Sequence, residues 1–220
     1  MSLESSLDER AQVGCAEYGL SDFDGLVRRA RTCRRFDEEQ PVSKDLLVEL
    51  VNLARLSPCG GNMQKLRFCV VTDAEERDRV FEQLTWAAAL KDWPGPAEGE
   101  RPTGYVAIFA TRPAPGKPAA PMTDTDCGIA AQTMMLAARA ATPQLGACMF
   151  KAFHPTMVDV LGVDGDLYEL KLVMAFGVPA EAQVLEPVSA SPNGKLTYWR
   201  TEDQVHHVPK LALDDVLLQS

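Results

Sequence analysis

Two stretches of this chain are apolar almost without a break: YVAIFAT at 105–111 and LKLVMAFGV at 170–178. A strand with one face in water alternates apolar and polar side chains. Unbroken runs therefore belong to a sheet that is covered on both faces. The cover is also present in the sequence. DCGIAAQTMMLAARAA, 126–141, is apolar nearly all round and reads as a central, buried helix. RFCVVT (67–72) and LGACMF (145–150) add two further core strands. Helices alternating with a few buried strands imply an α/β or α+β sandwich.

The remaining elements follow from caps and periodicity. Ser21 or Asp22 is placed to cap a helix through FDGLVRRAR, and Ser43 to cap KDLLVELVNLARL, whose apolar residues recur at three and four. Asp73 and Glu76 form a D-x-x-E start for a helix expected to reach about Lys91. DWPGPAEGERP (92–102) is a loop by its Pro and Gly content. RPAPGKPAAP (112–121) looks like a linker, yet the strands on either side share one buried character, which implies one sheet rather than a domain boundary. HPTMVDVLG is a short helix closed by Gly162, and the tail ends in an amphipathic LALDDVLLQS. The expected organisation is a flexible or partner-wrapping leader over 1–20 and a single domain over 21–220.

Charge narrows the partners. A net charge of −9 argues against nonspecific nucleic-acid or anionic-membrane binding. No segment approaches the roughly 18 uncharged apolar residues that span a bilayer. MSLESSLDER lacks the apolar core of a signal peptide, so the cytoplasm is the simplest compartment. Cys15, Cys33, Cys59, Cys69, Cys127 and Cys148 are scattered, with no C-x-x-C pair and no histidine at metal spacing. Reduced, packed thiols and no metal site are expected. His206 and His207 read as surface residues, and Trp86 and Trp93 as packing residues.

Four stretches could carry chemistry. RRARTCRRF (28–36) clusters arginines around Thr32 in an acidic chain. It is either a solvated helix end or an anion site, since arginine forks match phosphate oxygens. SPCGGNMQKLRF (57–68) holds two glycines, which let backbone approach a ligand, and Asn62 and Gln64, each offering donor and acceptor to a heterocycle. LGACMFKAF ends a core strand at Lys151, where open α/β sheets place ligands. VPKLAL presents Lys210 late in the chain.

Taken in order, these stretches resemble the nitroreductase family of FMN-dependent oxidoreductases, over roughly residues 22–218. RTCRRF resembles that family's R-S-x-R-x-F element, and SPCGGNMQKLRF its S-P-S-x-x-N-x-Q-P-W-x-F loop. DCGIAAQTMMLAARA followed by LGACMF is similar to its central helix and next strand. The resemblance implies an α+β fold with a central, mainly antiparallel sheet flanked by helices, in an interlocked homodimer holding FMN at the subunit interface. Position by position it assigns Arg31, Thr32 and Arg34 to the phosphate, ribityl chain and pyrimidine edge. Pro58, Cys59, Asn62 and Gln64 are assigned to the loop that meets the ring from the other subunit. Met149, Phe150, Lys151 and Ala152 run along the ring near N5 through their backbone amides, and Lys210 lies near the phosphate. No side chain is expected to be catalytic, because the flavin N5 carries the chemistry.

The implied activity takes hydride from NADH or NADPH and reduces a small acceptor, such as a nitroaromatic or a quinone, by a ping-pong mechanism. Two alternatives stand beside it: another FMN-dependent job, reductive dehalogenation or flavin-consuming chemistry with 92–102 and 112–121 as lids, and a non-catalytic flavin-binding module. Departures from the family pattern bear on the choice. Ala30 replaces the first arginine of the N-terminal element and Ala212 stands where a last basic residue is common. Arg29 or Arg35 is placed to supply a substitute charge. Lys65 and Leu66 replace the usual Pro and Trp, which should change a pocket wall but not the fold. Cys59 in place of Ser is either a small substitute or a redox-active thiol.

Overall fold

The computed structural model describes residues 18–87, 90, 93–192 and 194–218, so all but the last three residues of the expected leader lie outside it. The chain divides into two compact units. One takes in Thr32–Trp86 and Pro94–Ala180, and the other the residues before Thr32, between Trp86 and Pro94, and after Ala180.

The first unit is built on a five-stranded sheet. Its strands are β1 (Phe36–Asp37), β2 (Leu66–Val71), β3 (Gly104–Thr111), β4 (Gly146–Phe150) and β5 (Tyr168–Pro179). The order is β1-β5-β3-β2, with β4 also pairing β5, and every pairing is antiparallel. Val106–Ala110 and Leu172–Phe176 are buried throughout, as the unbroken apolar runs require. Strands on both sides of the proline-rich 112–121 belong to this one sheet. The segment itself is tied down: Arg112 Nε donates to the Gly165 carbonyl at 2.9 Å, and the Ala119 amide donates to Glu169 at 2.7 Å.

Before the helices of this unit comes α1 (Ser21–Arg29) of the other, followed by α2 (Lys44–Arg55), α3 (Ala74–Glu82), α4 (Met122–Ala140) and α5 (Met157–Val160). Ser43 caps α2 by accepting from the Leu46 amide, and Leu47, Leu50 and Ala54 form its buried stripe. Asp73 caps α3 by accepting from the Glu76 amide. The helix then stops at Glu82, well short of Lys91, because Leu84 leaves it to bridge Phe153. The central α4 begins four residues before the expected Asp126, with Pro121 at its N-cap. It packs on α2 and on the sheet.

In the second unit α1 contains Ser21 rather than being capped by it; Leu20 is the cap and makes no side-chain bond. A three-stranded sheet of β6 (Gln183–Pro187), β7 (Trp199–Arg200) and β8 (His206–Lys210) has β8 parallel to β6 and antiparallel to β7. The histidines are not surface residues. His206 is 1 % exposed and its ring lies against Tyr198. His207 stacks on Trp199 at 5.0 Å and holds Glu186 through Nδ1 at 2.5 Å. Strand pairing across twenty residues encloses them, and no local pattern signals it. The expected amphipathic tail narrows to a four-residue helix, α6 (Leu213–Val216). Among the described residues no helix is long and apolar enough to cross a membrane.

Candidate functional site

The loop after α2 is a tight, conformationally unusual turn. The Leu56 and Ser57 amides close the helix onto Leu53 and Ala54. Cys59 is extended, and Gly60–Asn62 form one 3-10 turn, closed by Asn62 N–H to Cys59 at 3.0 Å and Met63 N–H to Gly60 at 3.1 Å. Gly61, Asn62 and Gln64 take φ of 56°, 53° and 47°. Left-handed backbone is free for Gly and accessible to Asn, but costs other residues roughly 1–2 kcal/mol, so Gln64 is strained. Gly60 is required for another reason: a Cβ there would lie 2.3 Å from Met122 Cγ.

Two hydrogen bonds from α4 hold this turn. The Gly60 amide donates to Asp126 Oδ1 at 2.8 Å, and Ser57 Oγ meets Thr133 Oγ1 at 2.9 Å. Neither partner was singled out in the sequence; the available signal was polar residues in an otherwise apolar helix. The turn leaves Asn62 and Gln64 exposed, with Gln64 Nε2 donating to Asn62 Oδ1 at 3.3 Å. It thus presents a pair of amides on a backbone anchored from below. Beside it lies a cavity of about 340 Å³, lined among others by Pro58, Cys59, Gln64, Lys65, Leu66 and Asp126. Lys65 and Leu66, expected to change a pocket wall, both line this cavity.

Thr32 and Cys33 come up to β4, and Arg34 follows them in the chain. Thr32 pairs in parallel with Ala147, and the Cys33 amide donates to the Ala147 carbonyl at 2.9 Å. This sets the N-terminal element along the strand that ends in Met149 and Phe150. Trp86 packs edge-on against Phe150 at 4.7 Å. Beyond the strand, the Ala152 carbonyl accepts from Thr85 at 3.0 Å, and Lys151 Nζ stands 3.9 Å from Asp124 Oδ1 on α4. The central helix therefore touches both the loop and the end of β4.

The same helix end carries a charge network. Lys171, 5 % exposed in β5, is 2.7 Å from Glu169 and 3.3 Å from Asp124, and Arg112 reaches Glu169 at 3.2 Å. Burial pushes Glu169 up, but the bonds from Lys171 and the Ala119 amide outweigh it and hold the carboxyl below its ordinary range. Burial, aided by Asp124 and opposed by the cations of Lys151 and Lys171, pushes the nearby Cys127 thiol up to about 11. That group is a packed thiol rather than a nucleophile.

The arginine cluster is less available than its composition suggests. Arg28 pairs with Asp24 at 2.8 Å, and Arg35 grips Glu100 through Nε at 2.7 Å and through Nη2. Arg35 is therefore committed and does not act as a spare charge. In the second unit, Arg31 Nη2 donates to the Val27 carbonyl at 2.7 Å, while its buried Nε has no partner among the described residues. Burial lowers the Arg31 pKa, and no described carboxylate pairs with it. Ala30 is 3 % exposed as the C-cap of α1, so a long basic side chain has no room there. Lys210 ends β8 and is exposed, and Ala212 is the N-cap of α6. Arg31 and Lys210 both lie in the second unit, the other expected residues in the first.

Comparison with known proteins gives a consistent result. A family profile described as the nitroreductase family matches residues 27–178. Among solved structures, a Desulfovibrio desulfuricans protein assigned as a nitroreductase in complex with FMN is 21% identical, with a TM-score of 0.62 over 89% of this chain and 95% of that one. A Staphylococcus epidermidis protein assigned as an NAD(P)H:FMN oxidoreductase is 18% identical, with a TM-score of 0.64 over 90% and 96%. A Clostridium acetobutylicum protein assigned as an NADH oxidase is 20% identical, with a TM-score of 0.54 over 70% and 87%. At these identities the likeness establishes the shared α+β fold.

Proposed function

Since the chain belongs to the nitroreductase family, we propose that it is an FMN-dependent oxidoreductase that uses NADH or NADPH to reduce a small acceptor such as a nitroaromatic or a quinone. The observation that carries this reading is the turn at 60–64. Backbone held in a sparsely populated region persists where the surroundings over-determine it, and such strain gathers at ligand sites. Here it exposes two side-chain amides, the donor and acceptor set that a flavin ring requires.

The residues fit the cofactor at its charged end as well. Arg31 carries a half-buried guanidinium whose Nε has no partner among the described residues, and an anion would satisfy it. By their match to the family motifs, Arg31 and Lys210 would hold the phosphate, Thr32 the ribityl chain and Arg34 the pyrimidine edge. Met149, Phe150, Lys151 and Ala152 would flank the ring through backbone amides. Pro58, Cys59, Asn62 and Gln64 would come from the second copy of a homodimer. Residues 21–220 would then work as one FMN-binding domain, with the leader flexible or wrapped on the partner.

When bound, FMN supplies a ring nitrogen that accepts and releases hydride. The protein's part is placement and field. Arg34 would stabilise negative charge gathering at the pyrimidine edge, in the manner of a fixed cation aimed at developing charge. The turn would cover the ring from the partner side, leaving a single face for donor and acceptor in succession, hence ping-pong kinetics. No side chain of the site is assigned proton transfer.

The purified protein is expected to be yellow, and NADH or NADPH is expected to bleach it under anaerobic conditions. Absence of bound flavin after reconstitution with excess FMN overturns the reading. A non-catalytic flavin-binding module is the second reading, favoured by the buried Ala30 and by the commitment of Arg35 to Glu100. It requires weak FMN affinity and no bleaching by either nicotinamide.

A further inference from the structure

Asp126 is 4 % exposed in the second turn of α4. A carboxylate taken out of water is costly unless it is hydrogen-bonded. This one accepts the Gly60 amide at 2.8 Å through Oδ1 and borders the 340 Å³ cavity behind the loop. Bonds from a backbone N–H to an ionised acceptor are roughly twice as strong as neutral ones. The bonded residue is the first of the turn, and three of the next four residues are left-handed. Fixing the Gly60 amide therefore sets where the strained segment begins and which way Asn62 and Gln64 face. Gly60 can approach α4 this closely because it lacks a Cβ, which would lie 2.3 Å from the Cγ of Met122, one turn earlier on the same helix.

We infer that Asp126 is a positioning residue: its buried carboxylate holds the 60–64 backbone in the form that presents the Asn62 and Gln64 amides to the cofactor ring. The assignment rests on the flavin reading above. It makes α4 more than a core helix, since one side chain of its apolar run governs an exposed binding surface.

The test compares Asp126→Ala, Asp126→Asn and Met134→Ala. Met134 is fully buried in α4, two turns beyond Asp126, and it serves as a control for lost packing. Three readouts are used: amide hydrogen exchange at Gly60 in the protein stripped of flavin, FMN affinity, and the visible band of bound FMN. Asp126→Ala is expected to speed Gly60 exchange and weaken FMN, each by about tenfold or more, as loss of one charge-assisted hydrogen bond implies. It should also shift the flavin band. Asp126→Asn keeps an acceptor oxygen and is expected to restore all three to within about threefold. Met134→Ala should lower Tm and leave the three readouts at wild-type values.

Unchanged Gly60 exchange in Asp126→Ala overturns the inference. So does faster exchange with unaltered FMN affinity and band, because the turn would then not be held for the cofactor. Equal effects from Met134→Ala overturn it too, since stability rather than positioning would explain them. If the wild-type protein takes up no FMN, the functional reading fails, and Gly60 exchange alone decides whether Asp126 holds the turn.

Discussion

The arginine cluster at 28–36 and the turn at 57–64 both stand out in the sequence, yet the structure uses them in opposite ways. In the cluster two of the five arginines are met by carboxylates, Arg28 by Asp24 and Arg35 by Glu100, and Arg31 spends one donor on the Val27 carbonyl. In the turn the backbone takes up the anchoring, through Gly60 and the 3-10 closure, and the side-chain amides are left outward. A count of basic residues therefore overstates the charge on offer to a ligand. A run of Gly and amide residues understates how firmly its groups are held. Backbone anchoring frees side chains, whereas side-chain pairing consumes them.

The largest expected effect tests the anchored half. Gly60→Val sets a branched side chain where even a Cβ meets Met122 at 2.3 Å. Overpacking of this kind costs roughly 1–3 kcal/mol, toward the upper end here because the clash is with Cγ rather than a mobile tip. A lowered urea midpoint together with weakened FMN binding is expected; a wild-type midpoint would show that the turn is not tightly seated.

The cluster is separated by paired substitutions. Arg31→Met keeps the bulk and removes the charge, so FMN affinity should fall by about 1.5–3 kcal/mol, with only about 0.5 kcal/mol of stability lost with the bond to the Val27 carbonyl. Arg35→Met should do the reverse, lowering stability by about 1 kcal/mol through the lost Glu100 pair and sparing affinity. Titrations with FMN and urea unfolding of both variants measure the four quantities. Equal losses of affinity would erase the distinction between the two arginines.

Next comes the pH dependence of the network at the start of α4. Glu169 is held below its ordinary pKa in the folded protein. Its contribution is thus complete above the unfolded value, near 4.3, and is lost as pH falls through the lower folded value. Glu169→Gln is expected to lower stability at pH 7 by about 1 kcal/mol and to converge with the wild type on the acid side. Unfolding midpoints from pH 7 down to 3 measure this, and a constant gap across that range would remove Glu169 from the account.

The smallest effect is the most discriminating. Gln64→Gly relieves left-handed strain of about 1–2 kcal/mol but adds glycine's entropic cost of roughly 0.5–1 kcal/mol. Stability should rise by about 0.5 kcal/mol while FMN affinity falls, because an amide is lost. Opposite signs are the mark of strain held at a binding site; a loss in both would make Gln64 an ordinary structural residue.

Legibility in the sequence followed locality. The caps at Ser43 and Asp73 act within one turn of helix, and both stand where local chemistry put them. The runs 105–111 and 170–178 are buried strands because apolar side chains on both faces leave no other stable placement. The end of α3 at Glu82 was not legible, since Leu84 is drawn off by Phe153, nearly seventy residues away. Nor was the small sheet of the second unit. Its short strands pair β6 with β8 across a connection that carries no periodic signal, and this enclosure buries His206.

The site divides the same way. Gly60, Gly61, Asn62 and Gln64 announce a turn with amides because residue type limits backbone conformation locally. The role of Asp126 does not appear in its own neighbourhood, where it reads as a polar residue in an apolar helix. It follows from the chain returning α4 to the end of α2 at a separation of 66 positions. Sequence determined the long buried strands, the capped helices and the glycine turn, since dihedral preference and burial period act over a few residues. Tertiary structure decided which charges are already paired and which carboxylate fixes the turn, because hydrogen bonds are met in space and not along the chain.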